Sequence, residues 1–185
     1  DDDEQCENCP PAADLLVGKT VSSLAITWHE DVHKWHPGQD WIWEPGGFGV
    51  FDPGINAFSI ATAIMPQPLF VKSADLQVPE NAQTPIAAEV SFGDKLGASL
   101  DWRRSGGEEW TVAVETADGL TLRLEKGGEE LTVNGERRPS EGMGEYPAIY
   151  AHFLDLIDNR QTEIDLRPLR LVADCLLVGR RSTVE

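Results

Sequence analysis

At 185 residues, 41 % of them hydrophobic and 25 % charged, the chain has the size and make-up of one soluble globular domain with a single core. Its 32 acidic against 15 basic residues give a net charge of −17, which argues against nucleic acid as a partner, although Asp1, Asp2, Asp3, Glu4 and Glu7 make part of the excess an acidic tip. No apolar run approaches the roughly eighteen residues of a membrane helix and no signal pattern opens the chain, so no membrane partner and a cytoplasmic setting are expected.

Residues 1–11 read as a disordered acidic tail. Within it Cys6-x-x-Cys9 has the spacing of half a zinc ribbon, but Cys175 stands alone in a helical segment and a structural zinc takes four ligands. The expectation is a reduced pair in a frayed terminus, with no metal bound. Pro10-Pro11 opens a helical turn over Ala12 to Val17, stopped by Gly18. Thr20 to Trp28 alternates and predicts a half-buried strand. His29-Glu-Asp-Val-His33 then spells the His-Glu-x-x-His pattern of zinc peptidases, which requires a helix that turns both imidazoles to one metal. Here the pattern leaves a strand and runs into His36-Pro37-Gly38, so solvated histidines, one or two of them lining a site, are the preferred reading.

Trp35 to Asn56 is a long Trp- and Gly-rich loop leading into a helix, and it gathers Trp35, Trp41, Trp43, His36, Glu44, Asp52 and Asn56. Flat aromatic faces beside hydrogen-bonding groups suit a polyhydroxylated ligand, whose C–H faces stack while its hydroxyls need oriented partners. A Trp-rich loop packed on a sheet edge has the same composition. The helix is predicted from about Asp52 to Ile64, ended by Pro66 and Pro68. Asp52 and Asn56, four apart at its start, present a carboxylate and a carboxamide side by side, and a helix N-terminus favours negative charge. Asp52 before Pro53 is equally a good N-cap, and the residues alone favour that role.

From Leu69 the pattern becomes strands with turn punctuation: Leu69–Val78, Pro85–Phe92, Ala98–Arg103, Trp110–Thr116, Leu120–Glu125 and Leu131–Val133. Connections this short force antiparallel neighbours. Two helices close the chain, Pro147 to Asp158 with Tyr150, Phe153, Leu154 and Ile157 on one face, and Arg167 to Arg180 with Leu169, Val172, Leu176 and Leu177. The fold class is α+β, a large and mostly antiparallel open sheet with helices packed on one face, over residues 12–185. The other face, expected to carry Ile86, Ala88 and Val90, is the predicted surface of a homo-oligomer.

The run from Trp35 to Ala57, together with Asp165-Leu-Arg-Pro-Leu-Arg-Leu-Val-Ala-Asp174 and Gly179-Arg-Arg181, closely resembles the aldose 1-dehydrogenase branch of the Gfo/Idh/MocA oxidoreductases. The resemblance runs from about Ala12 to Glu185. It implies the family's α+β substrate domain, without the Gly-x-Gly-x-x-Gly Rossmann domain that precedes it there. It also implies an aldose of the D-galactose or L-arabinose type, oxidised at C1 to the aldonolactone with NAD(P). A family signature of a Gly-rich turn, Asp and then His falls on Gly46-Gly47, Asp52 and Asn56. Asn cannot titrate, so the resemblance gives the base role to Asp52 or to a lysine elsewhere, and gives Asn56 a sugar hydroxyl. Glu30 and Trp35 are implied as further sugar contacts, with His36 lining the site. No Gly-x-Gly-x-x-Gly and no Glu-Lys-Pro occurs here, and Gly47-Phe-Gly49 lacks a surrounding strand–turn–helix unit, so no dinucleotide is expected on this chain alone. The competing function is a non-catalytic sugar-binding or oligomerisation module.

Overall fold

Alternation along Val21–His29 (β1) sends Leu24, Ile26 and Trp28 to one face and Ala25, Thr27 and His29 to the other. That strand is the middle of the sheet in the computed structural model, which describes residues 6, 8–139 and 145–185. The remaining strands are Ser73–Pro79 (β2), Ala87–Gly93 (β3), Leu96–Asp101 (β4), Glu109–Thr116 (β5), Thr121–Glu125 (β6), Glu130–Val133 (β7), Glu136–Arg138 (β8) and Arg180–Val184 (β9). The helices are Cys9–Leu16 (α1), Val32–Trp35 (α2), Phe51–Ile64 (α3), Glu145–Asn159 (α4) and Arg167–Val178 (α5).

Among the described residues nine strands lie in the order β8-β7-β6-β5-β1-β4-β3-β2-β9. β1 pairs parallel with β4 and β2 with β9, and every other pairing is antiparallel, as the short connections require for β2-β3, β3-β4, β5-β6, β6-β7 and β7-β8. α1, α3 and α5 pack on one face, so the sheet is open on the other. Phe51, Ala57, Phe58, Ala61 and Ile64 of α3 meet Leu24, Ile26, Leu100, Val112 and Val114 of the sheet in one core. Each fully buried Phe, Leu, Ile or Val among them contributes about 1.5–3 kcal/mol before entropy is counted.

Several expectations change. The fold takes in residues before Ala12: α1 starts at Cys9, and buried Asn8 donates from Nδ2 to the carbonyls of Gly128 and Glu129 at 2.8 and 2.9 Å. Cys6 and Cys9 form a disulfide rather than a reduced pair. Of the tail expected over 1–11, residues 1–5 and 7 lie outside the described residues. Ala88 and Val90 face the helices and lie in the core, with Ile86 packed against it, so they are not on the open face. That face instead carries small and polar side chains, among them Ala25, Thr27 and Ser99, with Glu89 and Arg123.

The last two helices also differ. In α5 the buried stripe is Pro168, Leu171, Val172 and Cys175, with Leu176 packed beside it, while Leu169 and Leu177 are exposed. Spacings of three and four from Pro168 generate that stripe, one residue round the helix from the one expected. In α4 the apolar face formed by Tyr150, Phe153, Leu154 and Ile157 is exposed. β8 and β9 were not expected as strands. They are the sheet's two edges, built from charged and polar residues that protect an edge and erase the alternation by which a strand is read.

Candidate functional site

The parity that buries Leu24, Ile26 and Trp28 carries one residue past β1 to Glu30, placing it on the helix-covered face. The neighbours of β1 bring Trp110 of β5 and Trp102, just after β4, to the same face on either side. The Glu30 carboxylate is 3 % exposed, and each oxygen accepts one indole N–H, Oε1 from Trp102 at 3.1 Å and Oε2 from Trp110 at 2.9 Å. Burial pushes its pKa up from the ordinary glutamate value, while the two indole donors and nearby His36 oppose that shift.

Two groups of rings flank this carboxylate. Trp110 stacks on its cross-strand partner Trp28 with centroids 5.6 Å apart, and Trp35 lies against it at 5.3 Å. Trp102 is packed by His36 at 5.2 Å and, edge-on, by Trp43 at 5.4 Å. Trp35 is 43 % exposed, and its Nε1 donates to Glu108 Oε1 at 3.1 Å, an oxygen that also takes the Lys34 ammonium. Lys34 in turn holds Glu108 below the usual carboxylate range.

α2 sets Trp35 and His36. It is capped by Asp31, whose carboxylate accepts the His33 N–H at 2.9 Å. His36 Nδ1 lies 3.2 Å from Gln39 Oε1, and its Nε2 lies 3.6 Å from Asp52 Oδ2. Asp52 is therefore not the N-cap of α3. The cap position is Val50, without a side-chain bond, and Asp52 sits half-exposed inside the first turn. Asn56, one turn on, is also half-exposed, and its side chain makes no hydrogen bond among the described residues.

Two glycines let α3 arrive there. Gly49 has φ of +57°, and a Cβ on it would stand 2.4 Å from the Pro85 carbonyl oxygen, which accepts the Val50 N–H at 2.7 Å. Gly54 lies where a Cβ would meet Leu100 Cδ1 at 2.8 Å, so the first turn rests directly on β4.

The fold thus brings Glu30, His36 and Asp52 into one chain of neighbours, with Asn56 beside Asp52 and Trp35 joined through Trp110. The residues that carry the wall, Trp102 and Trp110, were not singled out from sequence, nor was Glu108. Continuing the alternation Ala98, Leu100, Trp102 and Trp110, Val112, Val114 finds the first two. His29 and Glu30 point to opposite faces, with His29 Nε2 2.9 Å from Ser99 Oγ, so the His-Glu-x-x-His residues do not converge on a metal. No cluster of three metal-ligating side chains occurs among the described residues. Nor do these residues fit a dinucleotide: Gly47 and Gly49 join a 3-10 turn, Asp40–Trp43, to α3, with no strand leading into them. What the site offers is aromatic faces, a carboxylate and an unbonded carboxamide, the chemistry of a polyol site.

No protein-family model matches the chain. It is 49 % identical over 178 residues to a galactose 1-dehydrogenase of Pseudomonas fluorescens, a match covering 94 % of this chain and 58 % of that protein. It superposes with a TM-score of 0.87 on the crystal structure of D-galactose-1-dehydrogenase from Rhizobium etli, at 42 % identity, over 96 % of this chain and 58 % of that one. KijD10, a 3-ketoreductase from Actinomadura kijaniata crystallised with NADP, shares the fold at a TM-score of 0.68 and 11 % identity, over 95 % of this chain and 58 % of its own. The fold is that of the Gfo/Idh/MocA oxidoreductases. Among them the chain is similar to the galactose 1-dehydrogenases and spans somewhat over half the length of the relatives it matches.

Proposed function

We propose that this chain supplies the sugar site of an aldose 1-dehydrogenase acting on a sugar of the D-galactose or L-arabinose type. The observation that carries the reading is Asp52 beside Asn56 in the opening turns of α3, with His36 at 3.6 Å and the tryptophan wall behind it, in a chain so close in sequence to galactose 1-dehydrogenase. In this reading Trp35 stacks on the C–H face of the ring, and Asn56 orients a hydroxyl from an amide that no other side chain occupies among the described residues. Asp52 takes the proton of the anomeric hydroxyl, with His36 placed to share it. Glu30 lies buried beneath the site, where its two oxygens hold Trp102 and Trp110.

NAD(P) is the cofactor that the family resemblance implies, held by protein outside these residues. This chain alone is expected neither to bind it nor to oxidise sugar. Self-association through the open sheet face and a cytoplasmic setting belong to the same proposal. Among the described residues no helix is long and apolar enough to cross a membrane.

The test joins this chain to the nucleotide-binding part of the Pseudomonas fluorescens relative and measures D-galactose and L-arabinose oxidation. Asp52→Asn should lower turnover on the order of a hundred- to ten-thousand-fold, as the loss of a positioned base does. Turnover within a few-fold of the parent would remove Asp52 from the chemistry.

A further inference from the structure

We propose that Glu30 is a positioning residue: its buried carboxylate, bonded by one oxygen to Trp102 and by the other to Trp110, sets the spacing and tilt of the two indoles on which the sugar-facing His36 and Trp35 rest. The sugar part of this statement rests on the reading above, and the anchoring part does not.

Trp28, Trp102 and Trp110 crowd this end of the sheet, and their N–H groups meet different fates. Trp28 Nε1 is buried with no acceptor among the described residues. Trp102 and Trp110 each find a Glu30 oxygen at 3.1 and 2.9 Å. Packing alone therefore does not supply acceptors to indoles here, and Glu30 is what supplies them.

A carboxylate suits the task for a specific reason. It accepts on both terminal atoms, whereas glutamine of the same shape accepts on one and donates on the other. An amide at position 30 would set a donor against a donor at one of the two indoles. Protonation of Glu30 adds a donor to one oxygen and weakens the bond that this oxygen accepts.

Trp102 and Trp110 also transmit what Glu30 fixes. Trp102 contacts His36, which faces Asp52, and Trp110 contacts Trp35, the exposed ring. Both sides of the site are thus referred to one buried group, held at the end of β1 between β4 and β5. Burying a carboxylate against neutral donors costs free energy that an apolar residue would not incur. A role in geometry accounts for its being there.

The experiment uses the whole chain with its indoles labelled by nitrogen-15, and reads the Trp102 and Trp110 N–H signals by hydrogen exchange and by pH titration. In the parent both signals should be protected and should shift together, with one midpoint above the ordinary glutamate range. The other titrating groups near Glu30 are His36 and Glu108, with Lys34 on Glu108 and Asp52 on His36. His36→Gln and Glu108→Gln should leave that shared titration in place. In Glu30→Gln the titration should vanish, one indole should lose at least tenfold of its protection, and the other should keep it.

Independent titrations of the two indoles, or equal protection of both in Glu30→Gln, would overturn the anchoring. The titration of the parent needs no variant, so it decides the matter even if Glu30→Gln fails to fold. D-galactose is then added to the same samples. Shifts at both indoles, with at least tenfold weaker binding in Glu30→Gln, support the full proposal. Saturable shifts elsewhere in the parent but none at these indoles would part the sugar from the rings that Glu30 anchors and overturn that link. No response to D-galactose anywhere in the parent would count against the sugar reading itself, and the exchange and pH results alone would then decide whether Glu30 anchors the wall.

Discussion

Helices α3 and α4 carry apolar residues at helical spacing, and the fold treats them in opposite ways. In α3, Phe51, Ala57, Phe58 and Ala61 are fully buried. In α4, Phe153 remains 58 % exposed and Ile157 53 %. The difference lies in what each helix finds beneath it. Gly54 and Gly49 let α3 lie flat on β4 and the Pro85 turn, so its stripe is filled from both sides. α4 arrives after the last hairpin, where the covered face of the sheet is already occupied by α1, α3 and α5. A hydrophobic stripe states that a helix needs cover. It does not state which surface gives it.

That contrast can be broken by substitution. The largest effect belongs to Phe58→Ala, which empties a site between Phe51 and Phe92 and should cost about 3–5 kcal/mol in chemical denaturation. A cost below about 1 kcal/mol would mean that α3 is not the packed element described. Gly54→Ala should follow at about 1–3 kcal/mol, because its new methyl must displace Leu100. Thr84→Val removes the 2.8 Å bond to the Ile42 carbonyl and strands a buried acceptor, at about 1–3 kcal/mol. Phe153→Ala in α4 should stay within about 0.5 kcal/mol, and a loss comparable to that at Phe58 would show that α4 is covered after all.

Association sharpens the same comparison. If the open sheet face joins copies of the chain, Thr27→Arg in its middle should shift sedimentation toward monomer at micromolar concentration, and Phe153→Ala should not. The reverse result would transfer the interface from the sheet to α4.

Much of this was legible in the sequence, for identifiable reasons. The strands from β1 to β7 were found because alternation and Gly-containing turns mark them locally, and α3 because two prolines end it. The Asp52–Asn56 pair was found from spacing alone. Its competing role as a cap failed because the chain turns into the helix at Val50, under the pull of the Pro85 carbonyl, a long-range contact that no local pattern encodes. Glu30 was named from resemblance, but its bonds to Trp102 and Trp110 depend on which strands flank β1. Strand order is a tertiary fact, and β4 pairs parallel with β1 across more than sixty intervening residues. The open face was misjudged at Ala88 and Val90 for a related reason. Period-2 alternation separates the two faces of a strand but does not say which of them the helices will cover.

The central claim is that a sugar lies over the first turns of α3 against the tryptophan wall. The most direct measurement follows the Asn56 side-chain amide and the Trp35 indole by nitrogen-15 spectra while D-galactose is titrated into the chain joined to a nucleotide-binding domain. Both signals should shift saturably with a single dissociation constant, and Asp52→Ala should weaken that binding while leaving the spectrum otherwise intact. Saturable D-galactose binding that leaves Asn56 and Trp35 unmoved would place the sugar elsewhere and contradict the site described.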